Sequence, residues 1–488
     1  MNRTNRSITS GLLLFFIYTF CVSESTLAQT ISIPRPTTVS QEATIYTGEI
    51  QIPGMGGLEI AFAFVESEEG TQTLMTIPAQ AVQDAPLNTT FGKDGELIAS
   101  LAEAGLKFTI RNFDGRDNLI AEMQQGAFET TIALEKIDAM PEMKRPQHPV
   151  EPYPYETREI VSMHPDGTHV LAGTLTVPEG DGPFPCAILI TGSGQQDRDE
   201  TVFGHKPFLV IADWLTKNGI AVLRYDDRGI GGSVMKRPEE LANITSRTNA
   251  DDVEVIVQAA RMHPEIDDRR IGLIGHSEGG LIAPMVAVDD QDIAFIVMLA
   301  GTGMSGVDLL PLQQALILRA SGASEELIER QVNVSLNVFE LVVQGASDEE
   351  LSEHIDELLL LAGEHTGQSL DDFTDEDRAA ILAEMTSPWL RYFLAHEPLI
   401  TLAQVDCPVL AVNGTLDLQV PCTENLSRIE EVMNNAMRDI TIIEFEGLNH
   451  LFQPAETGSP DEYFSIETTF DESVLLAMTD WIQDVTDE

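Results

Sequence analysis

Residues 271–280 read Ile-Gly-Leu-Ile-Gly-His-Ser-Glu-Gly-Gly, and Leu281-Ile-Ala-Pro-Met-Val-Ala-Val288 comes directly after. Ile271 to Ile274 has the composition of a short buried strand, and the run from Leu281 is compatible with a helix. Between them lies Gly275-x-Ser277-x-Gly279. Strand, tight turn and helix, in that order, are the setting in which such a serine is lifted clear of a sheet on a strained backbone. The two glycines remove side chains that would collide with the neighbouring strand and helix.

Alternating strands and helices extend on both sides. Arg158 to Met163 and Val170 to Val177 form a hairpin around Pro165-Asp-Gly167. Cys186 to Ile190 is a continuous apolar strand, Pro207 to Lys217 a helix closed by Asn218-Gly219, Ile220 to Tyr225 a strand and Ala250 to Met262 a helix. Ile293 to Leu299, Val409 to Val412 and Thr441 to Phe445 add three more strands. This array calls for an α/β architecture, a mostly parallel sheet between helical layers. One helical insertion, about 305–398, interrupts it. Ile328, Val332, Leu336, Phe339 and Val343 recur at helical spacing, Leu351 to Leu361 and Ala379 to Met385 come next, and Pro388 ends the last of these. It is expected to overhang the carboxyl edge of the sheet as a cap, with a helical layer packed elsewhere as the alternative.

Ahead of this region, 30–140 alternates in the strand manner. Leu58, Ile60, Phe62 and Phe64 share one face; Phe108, Ile110 and, after a turn at Asp114-Gly115, Leu119 continue the pattern, and Phe128 to Leu134 adds another run. A small, mostly antiparallel β-rich domain is expected, without catalytic residues of its own. Pro141, Pro146, Pro149, Pro152 and Pro154 mark a linker over 141–155, so the α/β domain runs from 156 to 488. Residues 1–28 read as an export signal: Arg3 and Arg6, an apolar core from Gly11 to Cys21, then Thr26-Leu-Ala28 before Gln29. An exported protein, periplasmic or extracellular, is expected, with no later membrane-spanning stretch. The formal charge of -51, from 28 Lys+Arg against 79 Asp+Glu, argues against nucleic acid or an anionic membrane as partner.

A serine hydroxyl needs a histidine to take its proton and a carboxylate to orient that histidine. In a sheet of this type they come after the serine in the order acid, then histidine, each beyond a strand. Asp417 follows the strand ending at Val412, and His450 follows the strand ending at Phe445. Of the ten histidines, only His450 both follows Ser277 and ends a sheet strand; His276, beside the serine, should point away from it. An oxyanion requires two donors. The N–H of Glu278 is one, and Thr191-Gly-Ser-Gly194 supplies the other, from Ser193 or Gly194. The cysteines that remain after the signal, Cys186, Cys407 and Cys422, suggest neither a disulfide nor a metal site.

From about 156 onward the chain resembles the α/β-hydrolase superfamily, and within it bacterial esterases of the EstD type, often grouped with the serine aminopeptidase domain. Leu189-Ile-Thr-Gly-Ser-Gly-Gln-Gln-Asp-Arg-Asp199, Leu223-Arg-Tyr-Asp-Asp-Arg-Gly-Ile-Gly-Gly-Ser233, Gly275-His-Ser-Glu-Gly-Gly280 and Cys407 to Val420 carry the likeness. Similar esterases also have a β-rich domain ahead of the catalytic one. The resemblance implies hydrolysis of small carboxylic esters without cofactor or metal, with Ser277, Asp417 and His450 as triad. Asp226-Asp-Arg-Gly229 is expected to shape a loop beneath the site. Two alternatives stand beside this: a peptidase with the same triad, for which Glu353, Asp356 and Glu357 are candidate amine ligands, and a binding protein on a hydrolase fold.

Overall fold

The computed structural model describes residues 43–487, apart from 53–55, 68–69, 78–81, 93–95, 102–104, 112–116, 126–127, 141–143, 367 and 464. The expected export signal, the Asp114-Gly115 turn and Pro141 lie outside the described residues.

The first compact unit is built from eight strands: β1 (Ala43–Ile52), β2 (Gly56–Ser67), β3 (Gly70–Ile77), β4 (Val82–Phe91), β5 (Leu97–Leu101), β6 (Leu106–Arg111), β7 (Asn118–Gln125) and β8 (Phe128–Ile137). Each pairs antiparallel with the next, and β8 returns to β1 through Ile45↔Ile137 to Thr47↔Glu135, closing a barrel. The alternation read in β2 is explained by this closure, because Leu58, Ile60, Phe62 and Phe64 all point into the barrel core. Phe62 meets Phe108 edge to face at 4.8 Å in that core.

The second unit begins at Arg145. Residues 144–155 carry neither helix nor strand, as proline spacing demands. Arg145 nevertheless donates to the carbonyls of Phe203 and Ile466, and Gln147 to that of Phe470. The start of this segment is therefore stitched to the second unit rather than hanging free.

Its sheet contains β9 (Glu156–Met163), β10 (Val170–Val177), β11 (Phe184–Ile190), β12 (Ala221–Tyr225), β13 (Ile266–His276), β14 (Ile296–Leu299), β15 (Val409–Gly414) and β16 (Ile440–Phe445), in the spatial order 16-15-14-13-11-12-10-9. The β9/β10 and β10/β12 pairs are antiparallel and all others parallel. Helices α1 (Pro207–Lys217), α2 (Ser246–Arg261) and α3 (Glu278–Asp289) connect the first half. The insertion holds α4 (Gly306–Ala320), α5 (Glu325–Val343), α6 (Asp348–Thr366), α7 (Asp375–Met385), α8 (Pro388–Ala395) and α9 (Pro398–Leu402); α10 (Cys422–Asn435) and α11 (Glu472–Asp487) finish the chain. Ser305, Ser324 and Ser387 each accept from a backbone N–H three residues on, so α4, α5 and α8 start where a serine satisfies an otherwise orphaned donor. Pro388 both stops α7 from continuing and occupies the first turn of α8. Pro284 lies inside α3. Among the described residues no helix is long and apolar enough to cross a membrane.

Candidate active site

The strand β13 sits between β11 and β14, so the turn after His276 emerges at the middle of the carboxyl edge of the sheet. Ser277 has φ +54° and ψ -117°, a strained conformation for a residue with a side chain. The close packing explains the glycines. A Cβ on Gly275 would lie 2.0 Å from the Gly279 carbonyl oxygen, and one on Gly279 would lie 2.2 Å from the Ile190 carbonyl oxygen. No side chain fits at either place.

Asp417 and His450 meet beside this turn. The loops after β15 and β16 bring His450 Nδ1 to 2.8 Å from Asp417 Oδ2, with both residues buried. Asp417 Oδ1 accepts from the backbone N–H groups of Gln419 and Val420 at 2.8 and 2.9 Å. The carboxylate is thus held on one oxygen by the backbone and presents the other to the imidazole. Among the described residues no hydrogen bond joins the Ser277 hydroxyl to the His450 ring, a link that is often long without substrate.

Ser193 and Glu278 line one cavity with Ser277, Thr302, Leu309, Leu310, Gln313, Trp389, Phe393, Gln419 and Val420. Glu278 is the first residue of α3, where helix geometry leaves a backbone N–H without a partner. Gly194 shares the Ser193 loop, with φ +88°, but is not among the cavity-lining residues. Glu278 is 3 % exposed, and its carboxyl accepts from Ser246 Oγ at 2.6 Å and from Trp389 Nε1 at 3.0 Å. Burial holds it above the usual carboxylate range, against the opposing bonds from Ser246, Ser193 and Trp389. Trp389 belongs to α8, so the insertion does reach the cavity at Ser277, as a cap would.

Asp226 and Asp227 brace the stretch that contains Ser193. Asp227 accepts from Thr191 Oγ1 and the Gln196 N–H, while Asp226 accepts from the Arg198 backbone and guanidinium. The loop-shaping role expected of these residues has this physical form.

Sequence reasoning did not single out Glu200 and gave His276 no role at the site. His276, expected to turn from the serine, places its ring 4.8 Å from that of His450. Its Nδ1 lies 2.9 Å from Glu200 Oε1 and its Nε2 lies 3.0 Å from the His450 carbonyl oxygen. Burial opposes protonation of His276, but the Glu200 carboxylate and these bonds lift it above the ordinary histidine value. Glu353, Asp356 and Glu357 lie on the exposed face of α6, and Asp356 pairs with Arg378. The ligand atoms of His164, His169 and Asp252 come within 4.8 Å of one another. Asp252 is already held there by Arg228 at 2.6 Å and His169 at 2.7 Å, which fits an ion-pair network better than a metal centre. Cys186, Cys407 and Cys422 are all free thiols.

The family described as serine aminopeptidase, S33 matches residues 207–336. Esterase EstD of Thermotoga maritima is 25% identical over 334 residues, covering 68% of this chain and 69% of its own. An uncharacterized 31.7 kDa protein of Escherichia coli is 25% identical over 317 residues, 64% of this chain and 95% of its own. Among solved structures, the α/β hydrolase GrgF from Penicillium is 18% identical with a TM-score of 0.40, covering 68% of this chain and all (100%) of its own.

Proposed function

We propose that this chain, an α/β-hydrolase of the esterase type, cleaves carboxylic esters through an acyl-enzyme on Ser277. The buried Asp417–His450 pair, 2.8 Å apart at the sheet edge where Ser277 stands in its strained turn, is the observation that carries this reading. Asp417 holds the Nδ1 proton of His450, which leaves Nε2 free to take the Ser277 proton as Oγ attacks the ester carbonyl. The developing oxyanion is received by the N–H of Glu278 and a second N–H from the Ser193 loop. Gly192 is an unsuitable donor, because its N–H is taken by Glu200 at 2.8 Å; this leaves Ser193, which lines the cavity, ahead of Gly194. The alcohol departs with the proton from His450. Water then attacks the acyl group with the same histidine as base, and Ser277 recovers its proton.

The cavity favours an ester over a peptide substrate. A peptidase that reads a free amine needs an available carboxylate. The carboxyl at this cavity, Glu278, already accepts from Ser246, Trp389 and Ser193, and the acidic residues of α6 face solvent. Aryl esters of graded acyl length, assayed beside aminoacyl anilides, test the assignment, with Ser277→Ala as control. Ester turnover that disappears in the variant is the expected result. Turnover of anilides alone would replace the reading with a peptidase, and turnover of neither would leave a binding protein.

A further inference from the structure

We propose that Glu200 and His276 form a positioning pair that fixes the oxyanion loop and the base histidine relative to Ser277. The inference rests on the esterase reading of Ser277, Asp417 and His450. Three bonds carry it: Gly192 N–H to Glu200 Oε1 at 2.8 Å, His276 Nδ1 to the same oxygen at 2.9 Å, and His276 Nε2 to the His450 carbonyl at 3.0 Å.

The chemistry of the end groups sets the direction of each bond. A backbone N–H can only donate and a carbonyl can only accept, so Gly192 donates to Glu200 and His276 Nε2–H donates to His450. A proton must also lie between His276 Nδ1 and Glu200, since two acceptors would repel at that distance. The pair is then an imidazolium facing a carboxylate, or a neutral ring facing a carboxylic acid; either way one shared proton completes the chain. The side chains are 8% and 5% exposed, so water does not compete for these bonds.

The chain joins three loops that catalysis needs in register. Gly192 immediately precedes Ser193, and a Cβ on Gly192 would lie 3.3 Å from the Ser277 Cβ and 3.4 Å from Glu200 Oε1. His276 immediately precedes the nucleophile, and the carbonyl it binds belongs to the base histidine itself. Glu200 has φ +51°, a left-handed conformation that costs a residue with a side chain free energy and aims its carboxylate back over the loop. Oxyanion donors act only within a few tenths of an ångström of their ideal distance, and a misplacement of about 1 Å costs about 10²-fold in rate. Neither Glu200 nor His276 lines the cavity, and beyond the bond between them their hydrogen bonds go to the backbone of Gly192 and of His450, so they act through the groups they hold.

Glu200→Ala, Glu200→Gln, His276→Ala and the double alanine variant test this on the full chain. Active sites are counted by titration with a fluorophosphonate, so that misfolded protein is excluded. We expect kcat per titrated site to fall about 10- to 100-fold in each alanine variant with KM within about threefold. Affinity for a boronic acid that mimics the tetrahedral intermediate should fall in parallel. The double variant should be no worse than the poorer single one, because the two residues act as one unit. Glu200→Gln, which keeps an acceptor for Gly192, should lose less than Glu200→Ala. Unchanged kcat per site, or losses that multiply in the double variant, would overturn the proposal. Failure of the probe to label Ser277 in the wild-type protein would instead overturn the esterase reading beneath it.

Discussion

Replacing Asp417 by asparagine tests the acid of the site with almost no change of shape. Asp417 Oδ1 accepts two backbone N–H groups, from Gln419 and Val420, while Oδ2 faces His450 Nδ1 at 2.8 Å. An asparagine has one acceptor oxygen and one NH2 to divide between these places. Turning the NH2 toward the two backbone donors would leave both unpaired in a site where the side chain is 0% exposed, at a cost of about 2–6 kcal/mol. The oxygen therefore stays with the backbone and the NH2 turns to His450. His450 must then accept at Nδ1 and carry its proton on Nε2, the nitrogen that has to receive the Ser277 proton. The wrong tautomer lowers kcat by about 10⁴-fold, or about 5.5 kcal/mol of barrier. Initial rates on a short aryl ester, normalised to fluorophosphonate-titrated sites, measure the loss. The thermal midpoint should change little, since every hydrogen bond except the charged one survives. An Asp417→Asn enzyme within tenfold of wild type, alongside an inactive Ser277→Ala, would show that Asp417 does not orient the base.

Three other outcomes are expected. Gly279→Ala places a methyl against the Ile190 backbone oxygen, which cannot rotate away, so the urea midpoint should drop by the equivalent of about 3 kcal/mol or more; a loss below about 1 kcal/mol refutes the close-packing argument. His205 is fully buried, lies 2.8 Å from the Tyr463 carbonyl and 3.0 Å from the Thr469 hydroxyl, and is pushed down to about 3, chiefly by burial and then by Arg145. Its depressed value means the unfolded chain binds more protons, so its contribution is complete above about pH 6.5 and is lost as pH falls toward 3. At pH 5 that is about 2 kcal/mol, and in His205→Gln the decline of the thermal midpoint between pH 7 and pH 5 should flatten. Trp389→Phe removes a donor from the buried Glu278 carboxyl, whose raised value already makes its ionised form costly; the stability lost should be about 1–3 kcal/mol and larger at pH 8 than at pH 5, and a pH-independent loss would exclude Glu278 as its source.

The second unit is legible in the sequence because its elements announce themselves locally. Pro207 and Asn218-Gly219 delimit α1 at the residues read from sequence, since a proline at the start and a glycine in the left-handed region at the end are backbone requirements rather than preferences. Apolar composition extends β14 toward its start: Ile293 to Phe295 are as apolar as Ile296 to Leu299, and Ala294 and Phe295 already share backbone hydrogen bonds with Ile271 and Leu273, but the register with both neighbours begins at Ile296, opposite Leu273 and Val409. Barrel closure is not legible at all. Alternation in β1 and β8 announces a half-buried strand without naming its neighbour, and the closing register, Ile45 to Thr47 against Glu135 to Ile137, joins strands from opposite ends of the domain's sequence.

The same distinction separates the parts of the site. Ser277, Asp417 and His450 each stand just beyond a sheet strand, so periodicity locates the strand and the strand end locates the residue. Glu200 has no such anchor. It lies in a loop crowded with charge, where the acids Asp197 and Asp199 look equally eligible and engage other partners, Thr201 and Arg224. A signal does exist in His276. Side chains at the end of a buried parallel strand are enclosed on both faces, and an imidazole enclosed there needs a partner for each nitrogen. His450, next to it in space, satisfies one nitrogen through its carbonyl, so the other requires a partner that can share a proton with it, from the remaining adjacent loop, the one after β11. Within that loop Glu200 is the carboxylate that reaches His276, because its left-handed backbone turns the side chain inward while Asp197 and Asp199 bond to their own surroundings. The partner of a buried polar residue is thus constrained by topology before any coordinate is known, but choosing it among neighbouring acids takes the backbone angle.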